Sequence, residues 1–240
     1  MQTREYPKTY VEFEGKSKNG AAPRKYWIQV VPEEFFDEIV DHLNSGFAMD
    51  EPISKYKKGY TDEATKTELR VYQYEMLREK ICLACLTKDN QGEVKLAGFN
   101  MLIITKKDED DDDDSESKGW FLPFIISIYD YVDEQRNLFE EFGVDKCLKG
   151  TGLYVLPEYR GEGICEQILR ARVPLCKDLG IKLISTIFTS TLSQKAAYKA
   201  GYKDFYCIDY VDLFKEKPEF YISGIQDHSK SIKILYQLVE

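Results

Sequence analysis

Residues 156–175, LPEYRGEGICEQILRARVPL, place Arg160, Gly161, Glu162, Gly163, Ile164 and Cys165 between an apolar run and the start of an amphipathic one. Such a junction suits anion binding. The first turn of a helix leaves backbone N–H groups without acceptors, and the helix dipole adds partial positive charge there. Gly161 and Gly163 allow phosphate oxygens to approach the main chain with no Cβ between, and Arg160 offers a forked, charge-assisted contact. Glu162 opposes phosphate unless its side chain turns to solvent. Two glycine signatures are excluded: a dinucleotide fingerprint starting at Gly161 requires glycine where the chain has Glu166, and GxxxxGK[ST] is absent. What remains is R-x-x-G-x-small, with Arg160, Gly163 and Cys165. On these residues alone, an ordinary strand-to-helix turn with a surface arginine stays open.

Two other stretches carry chemistry-bearing side chains. MDEPI, residues 49–53, sets Asp50 and Glu51 ahead of Pro52, where they could simply begin a helix or supply a carboxylate base. FTSTLSQKAAYKAGY, residues 188–202, is rich in hydroxyls, with Thr189 and Ser193 foremost; Ser193 could equally be a helix cap. Cys82 and Cys85 form a CxxC, but in KICLACL they fall on opposite faces of a strand, which disfavours a redox or metal role. With only His42 and His228 as histidines, no metal site is expected.

These residues need a scaffold, and the hydrophobic pattern outlines one. YWIQVV, residues 26–31, reads as a strand, and Pro32 with Glu33 and Glu34 starts a helix that runs to about 44 and breaks at Gly46. A helix over 62–79 follows, then a hairpin turning at Asn90-Gln91-Gly92. One helix is expected over 122–142, a strand over 150–156, the glycine turn, and a helix over 163–179 that Pro174 should kink. A strand at 181–187, a short helix at 192–200, and strands at 202–211 and 231–239 close the chain. With no internal repeat and no Pro-, Gly- or Ser-rich linker, residues 1–240 read as a single mixed α/β domain.

Composition narrows the function classes. The chain is 43% apolar and 13% aromatic, enough for a core. Its net charge of −9 disfavours nucleic acid as a partner. Much of that charge sits in Asp108–Asp114, within an acidic loop over 106–119 that is expected to be mobile and that could help attract a cationic substrate. The chain shows neither a signal-peptide pattern nor an apolar run long enough for a membrane span, so a cytoplasmic protein without a membrane partner is expected. The six cysteines, without the spacing of a disulfide framework, suit a reducing compartment.

YVLPEYRGEGICEQIL resembles the acetyl-CoA binding motif of the GNAT superfamily of N-acetyltransferases, and the element order resembles that fold over roughly 25–240. The resemblance implies a mixed, mostly antiparallel central sheet, splayed at the acetyl-CoA site and flanked by helices on both faces. It places Leu153, Tyr154 and Val155 along the pantetheine arm, and Arg160, Gly161, Glu162, Gly163, Ile164 and Cys165 at the pyrophosphate. Cys165 departs from the usual Gly or Ala but is still small. MDEPI is similar to the DEP-containing segment of insect arylalkylamine N-acetyltransferases, in which Glu51 would be the general base. Thr189 and Ser193 then take the places of two catalytic serines, with Ser193 near the CoA sulfur. The tyrosine that many members use to protonate the thiolate is missing: Ala197 stands there, and Tyr198 is turned about 100° away. The Tyr154 or Val155 N–H would hold the oxyanion. His228 would be structural or line the amine pocket.

The expected activity is therefore acetyl transfer from acetyl-CoA to the primary amine of a small arylalkylamine such as dopamine, serotonin, octopamine or tryptamine, by direct attack. The alternatives are a polyamine- or agmatine-type amine, a longer acyl donor, or a catalytically silent CoA-binding module. A monomer is the default.

Overall fold

The computed structural model describes residues 6–18, 20, 22–107 and 117–240. Asp108–Asp114 and most of the expected acidic loop lie outside them. Eight strands form one sheet in the order β1-β2-β3-β4-β5-β6-β8-β7: β1 Thr9–Glu14, β2 Lys25–Val30, β3 Leu83–Lys88, β4 Val94–Lys106, β5 Lys146–Val155, β6 Leu183–Phe188, β7 Lys203–Asp209 and β8 Ser231–Leu238. Every neighbouring pair is antiparallel except β5 and β6.

That parallel pair is short. Leu148, Lys149 and Gly150 match Ile184, Ser185 and Thr186, and beyond Gly150 the strands are no longer paired. The β4 register, by contrast, continues to Val155. The β6-facing edge of Leu153–Val155 is thus open, and the expected splay is present.

The ten helices of the described residues are α1 Phe36–His42, α2 Ala48–Asp50, α3 Pro52–Lys57, α4 Glu63–Arg78, α5 Phe121–Asp133, α6 Leu138–Phe142, α7 Ile164–Leu179, α8 Thr191–Lys199, α9 Tyr210–Glu216 and α10 Ile225–His228. They cover both faces of the sheet. Adjacent residues of a strand point to opposite sides: Asn100 meets Arg172 of α7, while Phe99 meets the Tyr154 ring, which packs against His42 and Phe47 beyond α1. One apolar cluster gathers residues of β2–β6, α1 and α7. A second gathers Ile53 with residues of α5, β7, β8, α9 and α10.

Several expectations are corrected. Gly46 does not break its helix; the chain continues through a π-helical turn, Leu43–Phe47, into α2. Glycine is required there because a Cβ would collide with the Tyr154 hydroxyl. The single helix over 122–142 is two, since Asn137 takes extended backbone and caps α6 by accepting from the Phe139 and Glu140 N–H groups. Strand β7 ends at Asp209, and α9 follows where more strand was expected. Strand β1 had no counterpart in the sequence reading. Helix α7, with Pro174 inside it, matches the expected helix over 163–179.

Candidate active site

Two groups of side chains lie beyond the carboxyl ends of the parallel strands, where α/β sheets commonly bind ligands. After β5 comes the glycine turn. Gly161 and Gly163 adopt φ of +88° and +89°, backbone that disfavours any side chain, and the space above Gly161 is open. Gly163 is the N-cap of α7, and no side chain caps it. The first-turn amides of a 16-residue helix therefore face outward beside glycine. Ile164 is buried beneath them, and burial pushes the half-buried Cys165 thiol up to about 12, which suits a small filler and not a nucleophile.

Glu162 turns neither to solvent nor to the turn. It is buried, accepting from Arg24 Nη1 at 2.5 Å and from the Tyr26 hydroxyl at 2.7 Å, so its charge is balanced under β2. The loop after β1 crosses the same turn: Lys16 N–H donates to the Glu162 carbonyl at 2.9 Å, and Lys18 Nζ to the Arg160 carbonyl at 3.1 Å. The Arg160 side chain folds back over the Tyr154 ring. Its Nε donates to the Val155 carbonyl at 2.9 Å and its Nη2 to Asp50 at 2.5 Å.

The backbone of β5 shows which amides face the open edge. Leu156 N–H bonds Ala97 O of the β4 side, whereas Val155 O is reached by Arg160 from the other side. Because successive residues alternate, the Tyr154 amide lies within the sheet, and those of Leu153 and Val155 face the opening. Of the two amides expected at the oxyanion, that of Val155 faces the opening and that of Tyr154 does not.

After β6 comes Thr189, whose hydroxyl donates to Glu51 Oε1 at 2.8 Å. Glu51 Oε2 accepts the Ser54 N–H at 2.6 Å, so Glu51 also caps α3, with Pro52 at its first position. Both sequence readings of Glu51, helix start and acid–base group, are compatible with this geometry. The carboxylate is buried, and burial raises its pKa above the usual carboxylate value, against the lowering by the Ser54, Thr189 and Ile53 bonds. Tyr210 donates to the Thr189 carbonyl at 3.2 Å. Burial, reinforced by Glu51, lifts the phenols of both Tyr129 and Tyr210 well above their ordinary value.

Ser193 does not join this cluster. Its hydroxyl donates to the Ser190 carbonyl at 2.9 Å, and the cap of α8 is Ser190 itself. Tyr198 is exposed and bonds Asp204, on a different side of α8 from the buried Ala197. His228 is exposed on α10, with its ring 5.8 Å from that of Tyr56. The Asp50–Arg160 pair is what ties the two groups together, since Asp50 adjoins Glu51 and Arg160 opens the glycine turn.

Sequence reasoning missed Tyr129, Tyr210, Arg24 and the Lys16–Lys18 loop, and it named Asp50 without its pairing to Arg160. Asp50 lies within MDEPI, the one signal available for it. Cys82 and Cys85 are buried free thiols, and burial pushes Cys82 up to about 12. A cavity of about 460 Å³ lined by Tyr6, Pro7, Trp27 and Gln29 includes none of the site residues. Among the described residues, no cluster of His, Cys, Asp or Glu could hold a metal, and no helix is long and apolar enough to cross a membrane.

A splayed sheet edge thus leads from an uncapped glycine turn to a buried carboxylate. The family model for the acetyltransferase (GNAT) family matches residues 51–202, and the chain belongs to that family. Among solved structures it is similar to the protein assigned as arylalkylamine N-acetyltransferase 7 of the yellow fever mosquito Aedes aegypti, at 29% identity and a TM-score of 0.91, covering 100% of this chain and 98% of that one. It is also similar in fold to arylalkylamine N-acetyltransferase 2 of Aedes aegypti, at 20% identity and a TM-score of 0.73 over 90% and 99% of the two chains. An agmatine N-acetyltransferase shares the fold at 16% identity and a TM-score of 0.71, over 89% and 99%. No curated protein sequence matches the chain.

Proposed function

We propose that this protein transfers the acetyl group of acetyl-CoA to the primary amine of a small arylalkylamine, with Glu51 as general base. The observation that carries the reading is the buried Glu51 carboxylate, bonded by Thr189 and neighboured by Tyr129 and Tyr210, next to an acidic residue that binds Arg160 of the glycine turn. An alkylamine of pKa near ~10 is about 0.1% neutral at pH 7, a handicap of roughly 4 kcal/mol. A carboxylate whose pKa lies above the usual range is better matched to collecting that proton than an ordinary one.

In this mechanism the thioester arm lies along the Leu153 and Val155 edge, and its phosphates rest on the amides of Gly161, Gly163, Ile164 and Cys165. Glu51 takes the ammonium proton directly or through a water. The neutral nitrogen attacks the thioester carbonyl, and the oxyanion is held by a β5 amide. Collapse breaks the C–S bond, and the second nitrogen proton passes, directly or through a water, to the departing thiolate, so that CoA leaves as the thiol. Arg160 leaves Val155 and Asp50 for the phosphates, which exposes both the strand carbonyl and the Asp50 charge. Ser193 serves the sulfur end, and His228 the rim of the amine pocket.

Aromatic neighbours favour an arylalkylamine over a diamine: besides Thr189, the groups that sense the Glu51 charge are the buried phenols of Tyr129 and Tyr210. The test is a panel of aryl-, poly- and guanidino-amines with acetyl-CoA, read as free thiol released. Turnover with tryptamine or dopamine exceeding that with spermidine or agmatine is the expected result. Preference for the polyamines would overturn the substrate assignment, and no release with any amine would overturn the acetyltransfer reading.

A further inference from the structure

Arg172 is the largest fully buried side chain of the described residues. It projects from α7 toward the point where β5 and β6 part. Its Nε donates to Asn100 Oδ1 at 2.7 Å and its Nη1 to Thr186 Oγ1 at 2.7 Å, with the Tyr202 hydroxyl at 3.5 Å. Its Nη2 is buried with no acceptor. None of the acceptors is charged, and among the described residues no carboxylate pairs with this arginine. The ionisable groups that face it are thiols and a phenol. Burial pushes Cys147, Cys165 and Cys176 up to about 12 and raises Tyr202, so all are neutral near pH 7.

An uncompensated guanidinium in a core is costly, and a well-packed apolar residue often serves the fold as well or better. Its location suggests what offsets the cost. Thr186 and Gly150 are the last matched residues of the parallel pair, and the Gly150 N–H donates to Thr186 Oγ1 at 3.2 Å. A Cβ on Gly150 would lie 2.5 Å from Arg172 Nη2, so the cation sits directly under the narrow end of the fork. On the other side, Asn100 Nδ2 holds the Gly152 carbonyl at 2.7 Å, next to Leu153. One side chain thus braces both arms of the opening. A thioester arm with phosphates at Gly161–Gly163, laid along Val155 and Leu153, brings its reacting end toward Gly150.

We propose that Arg172 is a positioning residue whose unneutralised charge, held at the parting of β5 and β6 by Asn100 and Thr186, offsets the negative charge that forms when the thioester is attacked. The amine nitrogen, having given its ammonium proton to Glu51, forms its bond to the carbonyl carbon, and its second proton follows the departing sulfur. The carbonyl electron pair returns as the C–S bond breaks, and the charge leaves on the CoA sulfur. This chain has Ala197 where a phenol could have protonated that sulfur, so a buried cation meets a need the sequence leaves open. The inference rests on acyl transfer and not on which amine is used.

The test compares R172M, R172Q and R172K after wild-type turnover has been established. R172M and R172Q are expected to lower kcat at least about tenfold, with KM for acetyl-CoA within about twofold and a thermal midpoint at or above wild type. R172K, which keeps the charge, should recover more rate than R172Q. A binding measurement gives a readout independent of turnover. The advantage of CoA over desulfo-CoA should grow as pH rises through the thiol range near about 8.5, and R172M should abolish that growth. If R172M does not fold, N100D places a carboxylate against Nε and should lower kcat in the same way. Wild-type kcat in R172M or N100D, equal recovery by Gln and Lys, or an unchanged CoA preference in R172M would overturn the proposal.

Discussion

Glu51 shows how one carboxylate is asked to do two things. It caps α3 by accepting the Ser54 N–H, and it is buried enough that its pKa is raised. A raised carboxylate pKa means the folded protein holds the proton more tightly than the unfolded chain, so the associated stability is present at low pH and is lost as pH rises through the folded value. Glu51→Gln should therefore unfold at higher temperature than wild type at pH 8, with the difference vanishing at pH 4, measured by scanning calorimetry. The same variant should lose about 10²–10⁴ in kcat/KM. Thr189 donates one of the bonds that lower this pKa. Thr189→Val should shift the ascending limb of the pH–rate profile to higher pH, whereas Thr189→Ser, which keeps the hydroxyl, should leave it in place. Resemblance names Glu51 and Thr189 separately, and their pairing had no signal in the sequence: the residues are 138 apart, and only the folded sheet sets them within hydrogen-bond reach.

At the scale of elements, legibility followed the strength of the local signal. Helix α7 and the turn before it were readable because Arg160, Gly161 and Gly163 carry backbone information, and the positive φ of both glycines bears this out. Strand β1 was missed because TYVEFE is an edge strand with half its residues exposed or charged. Helix α9 was missed because Tyr210 and Val211 extend the apolar run past Asp209, which stands at the N-cap without a side-chain cap bond. Arg172 drew no reading from the sequence, yet it lies four residues from both Ile168 and Cys176 on the buried stripe of α7, and that spacing was the available clue. Gly46 was read as a helix break, when its constraint comes from Tyr154, 108 residues further along the chain. Gly46→Ala should cost about 1–3 kcal/mol through overpacking, read as a lower denaturant midpoint with an unchanged slope.

For the molecule as a whole, the sheet's one parallel seam carries the site, and the two apolar clusters meet around it. Fold class and sheet splay followed from the order of elements and the family resemblance. What the sequence could not supply was the coupling between distant segments, such as the Asp50–Arg160 pair and the Arg24–Glu162 pair. The latter reaches beyond catalysis. Because Glu162 is held by Arg24, while Lys16 and Lys18 bond the main chain of the same turn, the amino-terminal ribbon and the glycine turn must loosen or tighten as one. Ligand bound to the turn should then shield the ribbon from proteolysis: tryptic cleavage after Lys16, Lys18 or Arg24 should slow when CoA is added and return to its original rate when CoA is dialysed away, making the nicking pattern a gauge of cofactor occupancy inside an extract.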